Sequence, residues 1–219
     1  MLRVPDDLVQ PFQIEPFALR GRLVRLGPAI DTILTQHAYP AAVATMLGEA
    51  ITLAVALAGA LKYEGVFTLQ TKGDGPVRLL VADVTASGQV RGSGQFDADR
   101  LTQTVSTRAP VPTLLGAGYL AFTVDQGEDT DRYQGIVALT GPTLTDCLAH
   151  YFEQSEQLLT AAKLAARRYP DGWRAGAVLI QHLPEEDEGR IPKTPADNEE
   201  DWRRVTILII AASIRIEVR

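Results

Sequence analysis

Residues 133–164, YQGIVALTGPTLTDCLAHYFEQSEQLLTAAKL, constrain the fold more than any other stretch. Residues 136–139 read as a short apolar strand, which Gly141-Pro142 ends. Thr143 is placed to cap a helix, and Asp146, three residues on, completes a capping box. Leu144, Cys147, Leu148, Tyr151, Phe152 and Ser155 follow at steps that line one face of a helix. Such a face has to be covered, so the segment dictates that a sheet or a second helix pack on it.

Residues 41–61 impose a second demand. These 21 residues carry one charge, Glu49, and so meet the length criterion for a membrane span. They are mostly Ala, include Thr45, Gly48 and Thr52, and lack aromatic or basic anchors at both edges. The preferred reading is a buried helix opened by Pro40, with Val43, Met46, Leu47, Ala50, Ile51 and Ala54 on one face and a second apolar face from Ala50 onward. A helix apolar all round is interior or lies under a partner.

The rest of the chain reads as strands and turns. Residues 17–26 alternate as a strand; Gly27-Pro28 then opens a short helix carrying Ile30, Ile33 and Leu34. Residues 66–71, 77–84 and 89–96 form an antiparallel meander, and 118–125 add a strand before the polar loop 126–132. Residues 158–168 are helical by composition, yet Pro170-Asp171-Gly172 and the strand-like 175–183 favour a hairpin. Pro184 is expected to end the folded domain. Residues 185–201 hold eight acidic side chains against Arg190 and Lys193, which predicts a solvated linker. Residues 205–214 are apolar and β-branched, too short to span a bilayer and a β-aggregation hazard at an exposed end. The expected class is α+β, with antiparallel sheets packed with helices in one main domain over 1–184. An acidic linker and a truncated or divergent end would occupy 185–219.

Several function classes are excluded at this level. The formal net charge is -6 and the paired arginines Arg167-Arg168 and Arg203-Arg204 are isolated, so no phosphate-binding surface is evident and nucleic acid is not expected. One cysteine permits no intrachain disulfide and no multi-thiolate metal site built by one chain. The first twelve residues lack the apolar core of a signal peptide, and a cytoplasmic location is expected.

Reactive constellations are weak. Cys147 between Asp146 and His150 suggests a nucleophile and base, but Cys147 shares the buried stripe of its helix, and a packed thiol is the preferred reading. His37, His150 and His182 have no metal-ligand or dyad spacing. Gly73-Asp74-Gly75-Pro76 lacks the phosphate-loop pattern and lies between strands, so it reads as a turn. Asp146, Glu153 and Glu156 are expected on a solvated helix face. The helix at 41–61 and the Leu144 stripe are either core or binding surface, with core preferred.

Six runs in order carry a resemblance. They are FTLQTKGDGPVRLLVADV at 67–84, VRGSGQF at 90–96, GAGYLAFTVD at 116–125, YQGIVALTG at 133–141, LTDCLAHYFEQSEQL at 144–158 and AGAVLIQHLP at 175–184. With them the chain resembles the bacterial redox-regulated heat-shock protein 33 family, the 33-kDa chaperonins. The resemblance implies an α+β N-terminal domain, a helical linker and a small zinc domain, in an ATP-independent holdase that is usually dimeric when active. It also implies one zinc ion on a Cys-x-Cys and a Cys-x-x-Cys pair, released when oxidation forms disulfides. This sequence departs from that pattern: none of the four switch cysteines occurs before Arg219, Leu159 stands where proline is usual and Ala177 where glycine is usual. A truncated or frame-shifted product is one explanation and a divergent end another. The expectations are therefore a chaperone that holds unfolded clients on apolar surface, with no catalytic residue, no cofactor in this chain and no zinc-based peroxide switch. Holding would be weak and constitutive, or the chain would merely aggregate. The alternatives are a small-molecule enzyme using His150 or an acidic pair, and an idle fragment folded through Leu183.

Overall fold

A computed structural model describes residues 6–61, 63–101, 109–125, 133–183 and 195–211. Its centre is the helix α2, Ala41–Ala58, which is buried along 16 of its 18 residues. The helix touches strands of two separate antiparallel sheets. One has four strands in the order β1-β2-β9-β8: Leu8–Ile14, Leu19–Leu26, Gly172–His182 and Thr160–Tyr169. The other has five, in the order β5-β4-β3-β6-β7: Val90–Phe96, Val77–Thr85, Val66–Gly73, Gly118–Asp125 and Tyr133–Ala138. Two further helices, α1 (Pro28–Thr35) and α4 (Leu144–Ser155), close the sides of the core, with the single-turn helix α3 (Val111–Leu114) between β5 and β6.

Burial of α2 satisfies the demand its sequence makes. Alternate residues of the five-stranded sheet (Phe67, Leu69, Leu80, Ala82, Leu120, Phe122) face it from one side, and Val24, Leu26, Ala175, Ala177 and Leu179 face it from the other. The polar residues that argued against a membrane span have local roles. The Thr45 and Thr52 hydroxyls donate to the carbonyls of Ala41 and Gly48, at 2.9 and 2.6 Å. At Gly48 an added Cβ would lie 2.9 Å from that of Ala166, so glycine lets the four-stranded sheet approach. Arg22 donates to the Gly59 carbonyl at 2.6 Å, placing a cation at the C-terminal end of the helix dipole.

The hairpin reading holds. Strands β8 and β9 pair in an unbroken register from Thr160↔Gln181 to Tyr169↔Gly172. The helical propensity of Ala161, Ala162, Ala165 and Ala166 yields to ten paired residues and to the need for small side chains there. Gly172 turns the chain with φ +123, and Asp31 accepts the Trp173 N–H at 2.8 Å.

The reading of the C-terminal stretch needs correction. Pro195–Ala211 is one helix, α5, although residues 195–201 were expected in a solvated linker and 205–211 in a β-prone tail. Two local features favour it. Glu199, Glu200 and Asp201 lie in its N-terminal half, where the dipole favours acid, and Glu200 pairs with Arg204 one turn on. Trp202, Val205, Thr206 and Ile209 then fall on one half-buried face. The loop 126–132, the acidic run 185–188 and residues 212–214 lie outside the described residues.

If α2 is the common core of both sheets, Leu47→Ala should lose about 2–5 kcal/mol of unfolding free energy, because its fully buried side chain leaves a cavity. Urea denaturation measures this, and a loss below about 1 kcal/mol would contradict the packing described.

Candidate functional site

The polar residues singled out in the sequence do not converge. Thr143 and Asp146 form the foreseen capping box: the Asp146 N–H donates to Thr143 Oγ1 at 3.2 Å and the Thr143 N–H to Asp146 Oδ2 at 3.0 Å. That carboxylate is occupied. Cys147 is 0 % exposed, and burial pushes its thiol up, away from the reactive thiolate. His150 is exposed on the far side of the helix. His37 stacks edge-on to Tyr39, and His182 edge-on to Trp202 of α5, so the three histidines sit in different places. The zinc implied by the resemblance has no fitting ligand set: the one cysteine is packed in the core, and no three His, Cys, Asp or Glu among the described residues converge.

The Gly73–Pro76 turn is a clasp. The Asp74 and Gly75 N–H groups donate to the carbonyls of Ala117 and Leu115, at 3.0 and 2.9 Å, while Asp74 Oδ1 accepts from the Ala117 N–H at 2.8 Å. A Cβ on Gly73 would stand 1.9 Å from the Leu115 carbonyl oxygen, which explains a glycine there without any ligand.

Glu156 is exposed, as the solvated reading expects, but it is not without partners. Its Oε1 accepts from both the Tyr133 hydroxyl (2.5 Å) and the Tyr151 hydroxyl (2.8 Å). Burial, with hydrogen bonds from this cluster, raises both phenols above the ordinary tyrosine range. The cluster ties the end of α4 to β7. Glu153 is exposed and Asp146 belongs to the cap, so no carboxylate pair is formed.

What the structure does assemble is apolar surface. A groove of ≈ 670 Å³ opens at the C-terminal end of α2, lined by Leu57, Leu61, Phe67, Phe122, Tyr133 and Phe152, with Arg20, Glu156 and Gln181 at its edge. Phe122 packs edge-on to Tyr151 at 4.6 Å between ring centres and stacks with Phe67 and Phe152. The second surface is the face of the four-stranded sheet turned away from α2. It presents Phe12, Leu19, Leu23, Val178 and Ile180, in register across β1, β2 and β9. Leu19 and Ile180 are fully covered, whereas Leu23 is 43 % exposed. Helix α5 lies along β8 and the turn at Glu15–Phe17, and sets Trp202 against His182. Its own outward residues Ile207 and Leu208 are exposed.

Sequence reasoning missed this second face. The signal was present in LRGRLVRL, where Leu19 and Leu23 alternate with Val24 and Leu26 on opposite sides of one strand, so both faces of the sheet want cover.

Comparison with known proteins adds the family context. The sequence model of the Hsp33 protein family matches residues 7–211. A "33 kDa chaperonin" of Caulobacter vibrioides is 47% identical over 184 residues, covering 81% of this chain and 61% of the relative. That of Pseudomonas fluorescens is 37% identical over 209 residues, covering 95% and 65%. A crystal structure of the heat shock protein 33 homologue from Thermotoga maritima superposes with TM-score 0.70 at 23% identity, over 88% of this chain and 73% of that one. The chain thus spans less than two thirds of the length of these two chaperonins.

The burial of Cys147 makes a direct prediction. A thiol reagent such as dithionitrobenzoate should leave the native protein unmodified and react with one thiol per chain once urea unfolds it. Fast stoichiometric labelling of the folded protein would show the thiol to be accessible.

Proposed function

This chain belongs to the Hsp33 protein family, and from that premise we propose that it is an ATP-independent holdase. In this reading it keeps unfolding proteins from aggregating by lending them apolar surface. The observation that carries the reading is the outward face of the four-stranded sheet, apolar in register and flanked by α5, which lies along β8, sets Trp202 against His182 and is itself only half-buried on that side. Apolar burial is non-directional and worth roughly 25 cal/mol per Å², so such a face suits clients with no common sequence. No reacting group is needed. The relatives' name, 33 kDa chaperonin, agrees with that mode of action.

The cover is weakly held. Trp202, Val205 and Ile209 are each only part-buried, and the Thr206 hydroxyl is buried without a hydrogen-bond partner. An unpaired buried hydroxyl costs about 1–3 kcal/mol, which offsets part of what the apolar contacts contribute. Helix α5 therefore acts as a displaceable lid. The main unit is taken to end near Pro184, with α5 and what surrounds it forming the linker, in a cytoplasmic protein that works as a homodimer. With one cysteine, packed in the core, this chain cannot supply a four-thiolate redox switch.

Light scattering of a thermally unfolding client tests the reading. The protein should suppress scattering equally with and without peroxide; an oxidant-dependent gain would contradict the absence of a switch, and no suppression would contradict holding itself. Trp202→Ala removes the ring contact of the lid with His182 and should raise suppression about two- to fivefold at equal concentration, by shifting α5 toward release. Limited proteolysis should leave a stable core ending near residue 184, and a first cut inside β8 or β9 would refute that boundary.

A further inference from the structure

We propose that strand β7 is a docking edge, to which an extended segment of an unfolded client adds as a sixth antiparallel or parallel strand of the five-stranded sheet. The inference rests on the holdase reading and assigns it a second, main-chain mode of capture.

The four sheet edges differ in how they are protected. Proteins blunt exposed edges with proline, charge, bulges or covering elements, because unpaired N–H and C=O groups recruit other strands. Edge β1 carries Pro11. Edge β5 carries Arg91, ion-paired to Asp83 at 2.7 Å, and the Tyr39 hydroxyl takes its Gly94 N–H at 3.2 Å. Edge β8 carries Lys163, Arg167 and Arg168 and has α5 alongside. Edge β7, YQGIVA, has no charge, no proline and no bulge in its register with β6, and α4 packs against it on the inward face, where the Tyr151 ring lies over Gly135. Among the described residues, no backbone hydrogen bond from outside the sheet reaches residues 133–137.

The side chains agree with the backbone. Ile136 points away from the core and is 57 % exposed, between Gln134 and Ala138, which are exposed too. An added strand would pair across from this β-branched residue. Tyr133, at the head of β7, also lines the aromatic groove, so an arriving chain meets main-chain pairing and apolar contact together. Main-chain pairing reads no sequence, which fits clients that share only being unfolded.

The edge is too small for a stable dimer. Six residues make a strip about 20 Å long at ~3.3 Å per residue and roughly 10 Å deep, about 200 Å², far short of the ~800 Å² per partner of a standard protein interface. Short, weak and repeatable contacts suit a long unfolded chain better than a second folded copy.

The probe is reduced, carboxymethylated α-lactalbumin, a chain held permanently unfolded. With it bound, amide hydrogen exchange at residues 133–138 should slow by about tenfold or more. The double variant Gln134→Lys, Ile136→Lys should bind it roughly tenfold more weakly while keeping the native melting temperature, and Ser93→Lys on β5 should bind as wild type. If the double variant fails to fold, exchange in the wild-type protein decides alone. Client bound with β7 exchanging as in the free protein would overturn the proposal and leave the holdase reading standing. Slow exchange at β7 without client, rising with concentration as the mass doubles, would give the edge to a second copy and overturn it as well. A wild-type protein that binds no client would remove both.

Discussion

An 18-residue helix with apolar side chains on every side can persist in water only if every side is covered, and that requirement organises this molecule. A single sheet covers one side of a helix. Two sheets are therefore needed, and α2 receives one on each flank, with α1 and α4 filling the remaining gaps. The high alanine content and Gly48 keep the helix thin enough for both sheets to reach it. The hydroxyls of Thr45 and Thr52 turn back on the helix's own carbonyls, so neither looks outward for a partner.

This arrangement uses up the inner faces of both sheets and leaves interaction to outer faces, ends and edges. It also explains why the groups that looked chemical are structural. Asp146 holds the first turn of α4, Glu156 gathers two phenols to fix its last, and Asp74 clasps the β3–β4 turn to the start of β6. Each of these three carboxylates is committed to fixing a local element, while His150 and Glu153 are exposed. What remains uncommitted is apolar: the groove at the end of α2, the open part of the four-stranded sheet near Leu23, and the flank of β7 at Ile136.

Local signals in the sequence were readable because they act over a few residues. The capping box needs only Thr143 and Asp146; the turn at Gly172 needs only a residue that tolerates positive φ; the character of α2 is written in its own composition. The elements that escaped are those decided by distant partners. β1 contains Pro11 and lacks clean alternation, and it is a strand because β2 offers it an open edge with Gly21 beneath Phe12. α5 ends in a β-branched, apolar run, and it is a helix lying along β8 and the Glu15–Phe17 turn with Trp202 against His182, contacts that its own window does not contain. The groove draws residues from α2, β3, β6, β7 and α4, a combination no window of sequence contains. The resemblance supplied the helical linker that composition alone read as solvated.

An adhesive surface has to be kept soluble and yet remain within reach, and the physics of α5 addresses both. Fully buried, it would be a sixth core element, released only on the scale of global unfolding. Absent, it would uncover the margin of the four-stranded sheet along β8 and at His182, beside the already exposed Leu23. A half-buried helix falls between these limits. In the proposed lid its acidic first turns would keep it solvated on leaving, its apolar face would cover the sheet on staying, and the unpaired Thr206 hydroxyl would offset part of what that cover contributes. The contacts of α5 fall on β8 and the Glu15–Phe17 turn, at the rim of the core around α2, so the proposed lid would open from outside the two sheets.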